Sequence, residues 1–96
     1  MRFPWPTLSA NVLGCLIAGT LGTWLMAKVS VSEYAQLFLI TGVLGGFTTF
    51  SAFSLDTLRL AESGQWSLAS VNVLANLVGS LLAVLAGWWF AKAFLI

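Results

Sequence analysis

The residues with chemistry to offer crowd into one stretch, Gly42-Val43-Leu44-Gly45-Gly46-Phe47-Thr48-Thr49-Phe50-Ser51-Ala52-Phe53-Ser54. It lies inside an uncharged segment, yet it mixes glycines with closely spaced hydroxyls. Glycine weakens a helix, and clustered Ser and Thr offer the backbone alternatives to helical hydrogen bonds. In a bilayer, irregular backbone persists only when buried in protein or lining a watery cavity. The stretch therefore reads as a broken or bent helix whose released groups bind something. Carbonyl oxygens, hydroxyls and aromatic ring edges suit an ion site better than covalent chemistry.

The rest of the chain must hold that stretch in place, and its composition says where. The 96 residues are 59% hydrophobic and 7% charged, with a mean hydropathy of +0.97. A soluble domain averages about a quarter charged residues, so this chain reads as a membrane protein. A net charge of +1 argues against nucleic acid, whose recognition needs clustered Lys and Arg. With no His and one Cys, His-based catalysis, zinc sites and an internal disulfide are excluded. Cys15, within an apolar helix, reads as a small packing residue, with a reactive thiol as the alternative.

The charges Arg2, Lys28, Glu33, Asp56, Arg59, Glu62 and Lys92 leave three uncharged runs, Phe3–Ala27, Tyr34–Leu55 and Ser63–Ala91. Each reaches the roughly 20 residues that cross about 30 Å of hydrocarbon. The first run is too long for a signal-peptide core, contains Asn11 and lacks a clear cleavage site. The expectation is an all-α membrane protein of one domain, residues 1–96, with three spanning helices. They cover about residues 8–27, 34–60 with a break near 45–49, and 67–94. Pro4 and Pro6 keep the approach extended, and Thr7 or Ser9 is a candidate cap for the first helix. Two stripes of small residues, Ala10/Gly14/Ala18/Gly22 and Ala75/Gly79/Ala83/Gly87, allow close helix approach in lipid. Trp5, Trp24, Trp66, Trp88 and Trp89 suit the two interfaces.

If all three segments span, Arg2 and Arg59 lie on one side and Lys28 and Lys92 on the other. The positive-inside rule then gives no preference. Either the chain inserts both ways and pairs as an antiparallel dimer, or a further segment sets its topology.

At this point Gly45-Gly46-Phe47-Thr48-Thr49-Phe50-Ser51-Ala52-Phe53-Ser54 resembles the signature of the CrcB/Fluc family of bacterial fluoride channels. Asn11-Val12-Leu13-Gly14-Cys15 resembles the family's Asn-x-x-Gly-small motif, and Gly79-Ser80 with Gly87 its last helix. The resemblance implies a passive, selective fluoride export channel in the bacterial inner membrane that confers fluoride resistance. It further implies a dual-topology homodimer, embedded in lipid, with two antiparallel pores and a structural sodium ion at its centre. Carried onto this chain, the sodium ligands are the backbone carbonyls of Gly45 and Thr48. The fluoride pathway is Asn11, Thr49, Phe50, Ser51, Phe53, Asn76 and Ser80. Sodium, a hard cation, favours such oxygen ligands. A ring edge is positive and can favour an anion without a fixed charge.

Alternatives stand beside several of these residues. Gly42 and Gly46, four apart, also fit a packing face; Phe50 and Phe53 also fit a lipid-facing surface; Asn11 also fits interhelical hydrogen bonding. Asn72 could extend a polar track from Asn76, but its position suggests the interface. Asp56 reads either as an acid near a pore mouth or as a solvated helix-end charge beside Arg59. Relative to the family pattern, Ala52 replaces a hydroxyl residue and Asp56 replaces Glu. The resemblance also implies four spanning helices, the first of them lying upstream of this sequence. A truncated or misassigned start is the expectation, a second polypeptide supplying that helix the alternative, and the short chain is expected to conduct poorly. Two other functions compete: a small proton-coupled multidrug transporter, which needs a carboxylate deep in a helix, and a structural membrane subunit. Glu33, Asp56 and Glu62 all fall at segment ends. No nucleophile–base pair supports an enzyme.

Overall fold

A computed structural model describes residues 2–28, 32–38, 41–42, 45 and 48–96. The expected turn at residues 29–31 and the expected unwinding and packing at Gly46 and Phe47 lie outside these residues. All regular elements described are helical: α1 (Trp5–Lys28), α2 (Glu33–Leu37), α3 (Phe50–Glu62) and α4 (Trp66–Phe90), the last running on through π-helical turns at Ala91–Leu95.

Helix α1 begins three residues before the expected Leu8. Pro6 falls in its first turn, where a missing N–H costs no helical bond, so the prolines open the helix rather than delay it. Nor does the structure give Thr7 the capping role; its hydroxyl donates to Asp56 Oδ2 at 2.7 Å. Helix α2 is capped by Ser32, whose hydroxyl accepts from the Ala35 N–H. Helix α3 closes in a Schellman turn: Gly64 N–H reaches the Ala61 carbonyl and Gln65 N–H the Leu60 carbonyl. That geometry requires the left-handed backbone of Gly64, at φ 81°.

Helices α1 and α4 are each long and apolar enough to cross a membrane, at mean hydropathies of 1.5 and 2.0. They run parallel, as the pairing of Leu8 and Val12 with Gly79, and of Leu16 and Thr20 with Gly87, requires. Helix α3 runs the other way along α1, since Thr7 meets Asp56 while Asn11 meets Thr49. At 13 residues it is only about 20 Å long, about two-thirds of a crossing. Toward the other side of the membrane, α2 lies beside Gly22, Leu25 and Met26 near the end of α1.

The α1–α4 seam is close enough for backbone contact. A Cβ at Gly87 would strike the Leu16 carbonyl and sit 2.7 Å from the Thr20 nitrogen, and one at Gly19 would strike the Val84 carbonyl. The second expected stripe thus holds through Gly79, Ala83 and Gly87, and Ala91 extends it. The first holds less well: the glycine that admits α4 is Gly19, one residue off the expected row. Outward faces of α4 carry Leu74, Leu81, Leu82 and Leu85, each more than half exposed, as lipid contact allows and water would not.

Candidate ion site

Where α3 begins, the backbone leaves the helical path. Thr48 forms a bend and Thr49 is extended, at φ −132° and ψ 112°. Two N–H groups that a continuous helix would send to the preceding turn are diverted. The Thr49 N–H, which would close on the Gly45 carbonyl, donates instead to Asn11 Oδ1 at 2.7 Å. The Ala52 N–H, which would reach back to Thr48, donates to the Thr49 hydroxyl at 3.1 Å. The interruption is therefore built by side chains, one of them from α1.

Asn11 is the hub, 8% exposed on α1. Besides accepting from Thr49, its Nδ2 donates to Asn76 Oδ1 at 2.9 Å and points more loosely at the Thr49 carbonyl at 3.5 Å. Its orientation is fixed, because a peptide N–H can only donate. Asn76 and Asn72 stand one turn apart on α4 and are linked through Asn76 Nδ2. Asn72 Nδ2 donates to Thr57 Oγ1 at 2.9 Å, back on α3. Three helices are thus tied by amides in a region the apolar residues cannot close. Among described residues, no buried side-chain polar atom lacks a partner, as a polar cluster in lipid requires.

Against this network lies a cavity of about 380 Å³. Of the expected fluoride-pathway residues, Asn11, Thr49, Phe50, Phe53, Asn76 and Ser80 line it together, and Thr48 lies on its wall. Ser51 does not: it is exposed on α3 and outside the lining. Phe50 and Phe53 share one face of α3, ring centroids 5.5 Å apart and planes tilted by 55°. Phe53 is half-buried, whereas Phe50 is 80% exposed in the single chain. Gly45 is exposed as well. Cys15, a free thiol one turn beyond Asn11, completes the near wall.

Two residues take a definite place. Asn72 is fully buried, at 0% exposure; the polar partners Thr57 and Asn76 draw it inward, so it extends the polar track from Asn76. The signal was its spacing of four from Asn76, outweighed by its distance from the centre of the segment. Asp56 is half-buried and holds the Thr7 hydroxyl, so its carboxylate ties α3 to α1 rather than standing as a free helix-end charge.

Residues 1–88 match the family described as "CrcB-like protein, Camphor Resistance (CrcB)". The chain belongs to this family. It is 50% identical over 93 residues to the fluoride-specific ion channel FluC of Chelativorans sp. (strain BNC1), covering 97% of this chain and 74% of that one. The FluC of Agrobacterium fabrum is 48% identical over 86 residues, covering 90% and 69%. FluC 1 of Streptomyces avermitilis is 45% identical over 91 residues, covering 95% and 73%. CrcB chains are all-α membrane proteins of ion-channel character and not enzymes, and the apolar faces of α1 and α4 in this member conform.

Proposed function

We propose that this chain forms a fluoride-selective ion channel. The observation that supports it most is the meeting, in one cavity, of a helix break, the amide that braces it and a tilted phenylalanine pair. Fluoride is small and strongly hydrated, so it enters only where donors replace its water. The loosest donor at the break is the Asn11 Nδ2 hydrogen aimed at the Thr49 carbonyl, 3.5 Å away. The hydroxyls of Ser80, which lines the same cavity, and of Thr49 add two more. Ring edges of Phe50 and Phe53 supply partial positive charge without a fixed cation. Conduction needs binding weak enough to release, and neutral donors meet that condition. Flow is passive and outward down the fluoride gradient, since no deep carboxylate is placed to carry protons.

Sodium fits the break chemically. The Gly45 carbonyl has lost its helical donor to Asn11, and Gly45 with Thr48 would hold the ion through backbone oxygens. Bound there, the ion supplies a stationary positive charge beside the anion path. Two carbonyls are too few for a closed shell, and exposed Gly45, Phe50 and Ser51 leave one side of the site open. A second copy inserted in the opposite sense, in the inner-membrane bilayer, completes both the shell and the pore wall.

The test is efflux from proteoliposomes read with a fluoride electrode. We expect fluoride efflux, small from this 96-residue chain, that chloride does not compete and that is lost in Phe50→Ile and in Asn11→Asp. Proton-coupled transport of cationic dyes would replace this reading with that of a multidrug transporter, and inert vesicles would leave a structural subunit.

A further inference from the structure

The chain of amides continues behind the cavity wall, and any part it plays in conduction rests on the channel reading. Asn76 has two amide hydrogens, and both are drawn backward. Its Nδ2 lies 2.9 Å from the Asn72 carbonyl and 2.9 Å from Asn72 Oδ1. Only its oxygen remains for Asn11, which donates to it. Asn72 then donates to Thr57 Oγ1, and the Thr57 hydroxyl ends on the Phe53 carbonyl at 2.8 Å. Every member accepts from one neighbour and donates to the next. The run of bonds therefore has one direction, from the Thr49 peptide N–H to the Phe53 peptide carbonyl.

We propose that Asn72 and Thr57, which do not line the cavity, are positioning residues for the ion path. Two oxygens of Asn72 facing Asn76 disqualify the reversed Asn76 amide, which would set acceptor against acceptor. With Asn76 fixed, Asn11 presents its amine to Asn76 and its oxygen to the Thr49 N–H. Residue 72 thereby keeps the break open and limits the amide donors offered to the anion to those of Asn11. Removing the Asn72 side chain frees one Asn76 hydrogen, which competes for the same space. The amide of Asn11 then loses its fixed partner.

Asn72→Ala and Asn72→Ser differ by one oxygen and leave similar volumes, and the serine hydroxyl can accept from Asn76 while donating to Thr57. Thr57→Val and Thr57→Ser make the same comparison at the far end. Two quantities are read in the full chain: fluoride efflux per reconstituted protein, and the fluoride concentration that half-protects Cys15 from a small methanethiosulfonate. The second reports occupancy of the cavity and would not change with altered packing elsewhere. We expect Asn72→Ala and Thr57→Val to slow efflux about tenfold, the effect of one buried hydrogen bond. Both should raise the half-protecting concentration, while both Ser variants stay within about threefold of wild type. Should Asn72→Ala not fold, the Thr57 pair decides. A wild type that conducts while Ala and Ser, or Val and Ser, behave alike overturns the positioning role alone. A wild type that carries no fluoride overturns the channel reading and this proposal with it.

Discussion

The α1–α4 seam and the start of α3 are both helix contacts in lipid, and they are held by opposite means. At the seam, Gly19 and Gly87 let backbone meet backbone, so the contact depends on having no side chain at all. At the break, Asn11 meets Thr49 by replacing a backbone partner with a side-chain amide. Lipid tails are as apolar as leucine, so close packing and hydrogen bonds, not hydrophobic burial, must hold helices together there. This small protein uses one of them in each place. The seam is intolerant of volume and indifferent to polarity. The break admits a cavity but tolerates no unpaired donor.

The largest effect expected from this contrast is at Gly87. Gly87→Leu forces backbone apart against Leu16 and Thr20 and should cost more than about 3 kcal/mol. Loss of monodisperse protein and a collapsed unfolding midpoint in detergent would register it; a variant melting like wild type would show the seam to be soft. Next is Asn11→Leu, similar in volume and without hydrogen bonds. It strands the Thr49 N–H, costs about 2–3 kcal/mol and lowers fluoride efflux at least about a hundredfold. If efflux survives, polarity is not what the break needs.

Exchange of sodium for a bulky organic cation, by exhaustive dialysis, should lower the unfolding midpoint of wild type in detergent. A ligand held a hundredfold above its dissociation constant stabilises by about 2.7 kcal/mol. An unchanged midpoint counts against a cation at Gly45 and Thr48. Gly79→Ala sharpens the seam side of the contrast, because the new Cβ meets side chains rather than backbone, Val12 Cγ2 at 3.3 Å and Leu8 Cδ1 at 4.0 Å. Its cost should stay below about 1 kcal/mol, measured against Gly87→Ala in the same assay. Smallest is Thr7→Val, which removes a half-buried hydrogen bond to Asp56 and should cost about 0.5–1 kcal/mol.

Much of the site was visible before folding because its residues are chemically out of place. Hydroxyls and glycines in an uncharged segment announce an interruption, and Thr49 proves to cap α3 where the break was expected. Phe50 and Phe53, three apart, had to share a face. Harder to see was where Asn72 would go, since a residue's depth in the membrane follows from helix register, and its burial from which partner meets it. Ser51 falls on the exposed side of α3, outside the lining of the cavity in the single chain, a matter of about 100° per residue that the break resets.

The residue pattern alone set the membrane class, the three apolar runs, the interruption within the second and the small residues that let α4 approach. These follow from local composition, which lipid judges segment by segment. Only the folded arrangement decided that Asn11 takes the Thr49 N–H and that three asparagines and two threonines join α1, α3 and α4 in one directed chain. Those bonds join residues up to 65 positions apart, and such distances close only when helices have already chosen their faces.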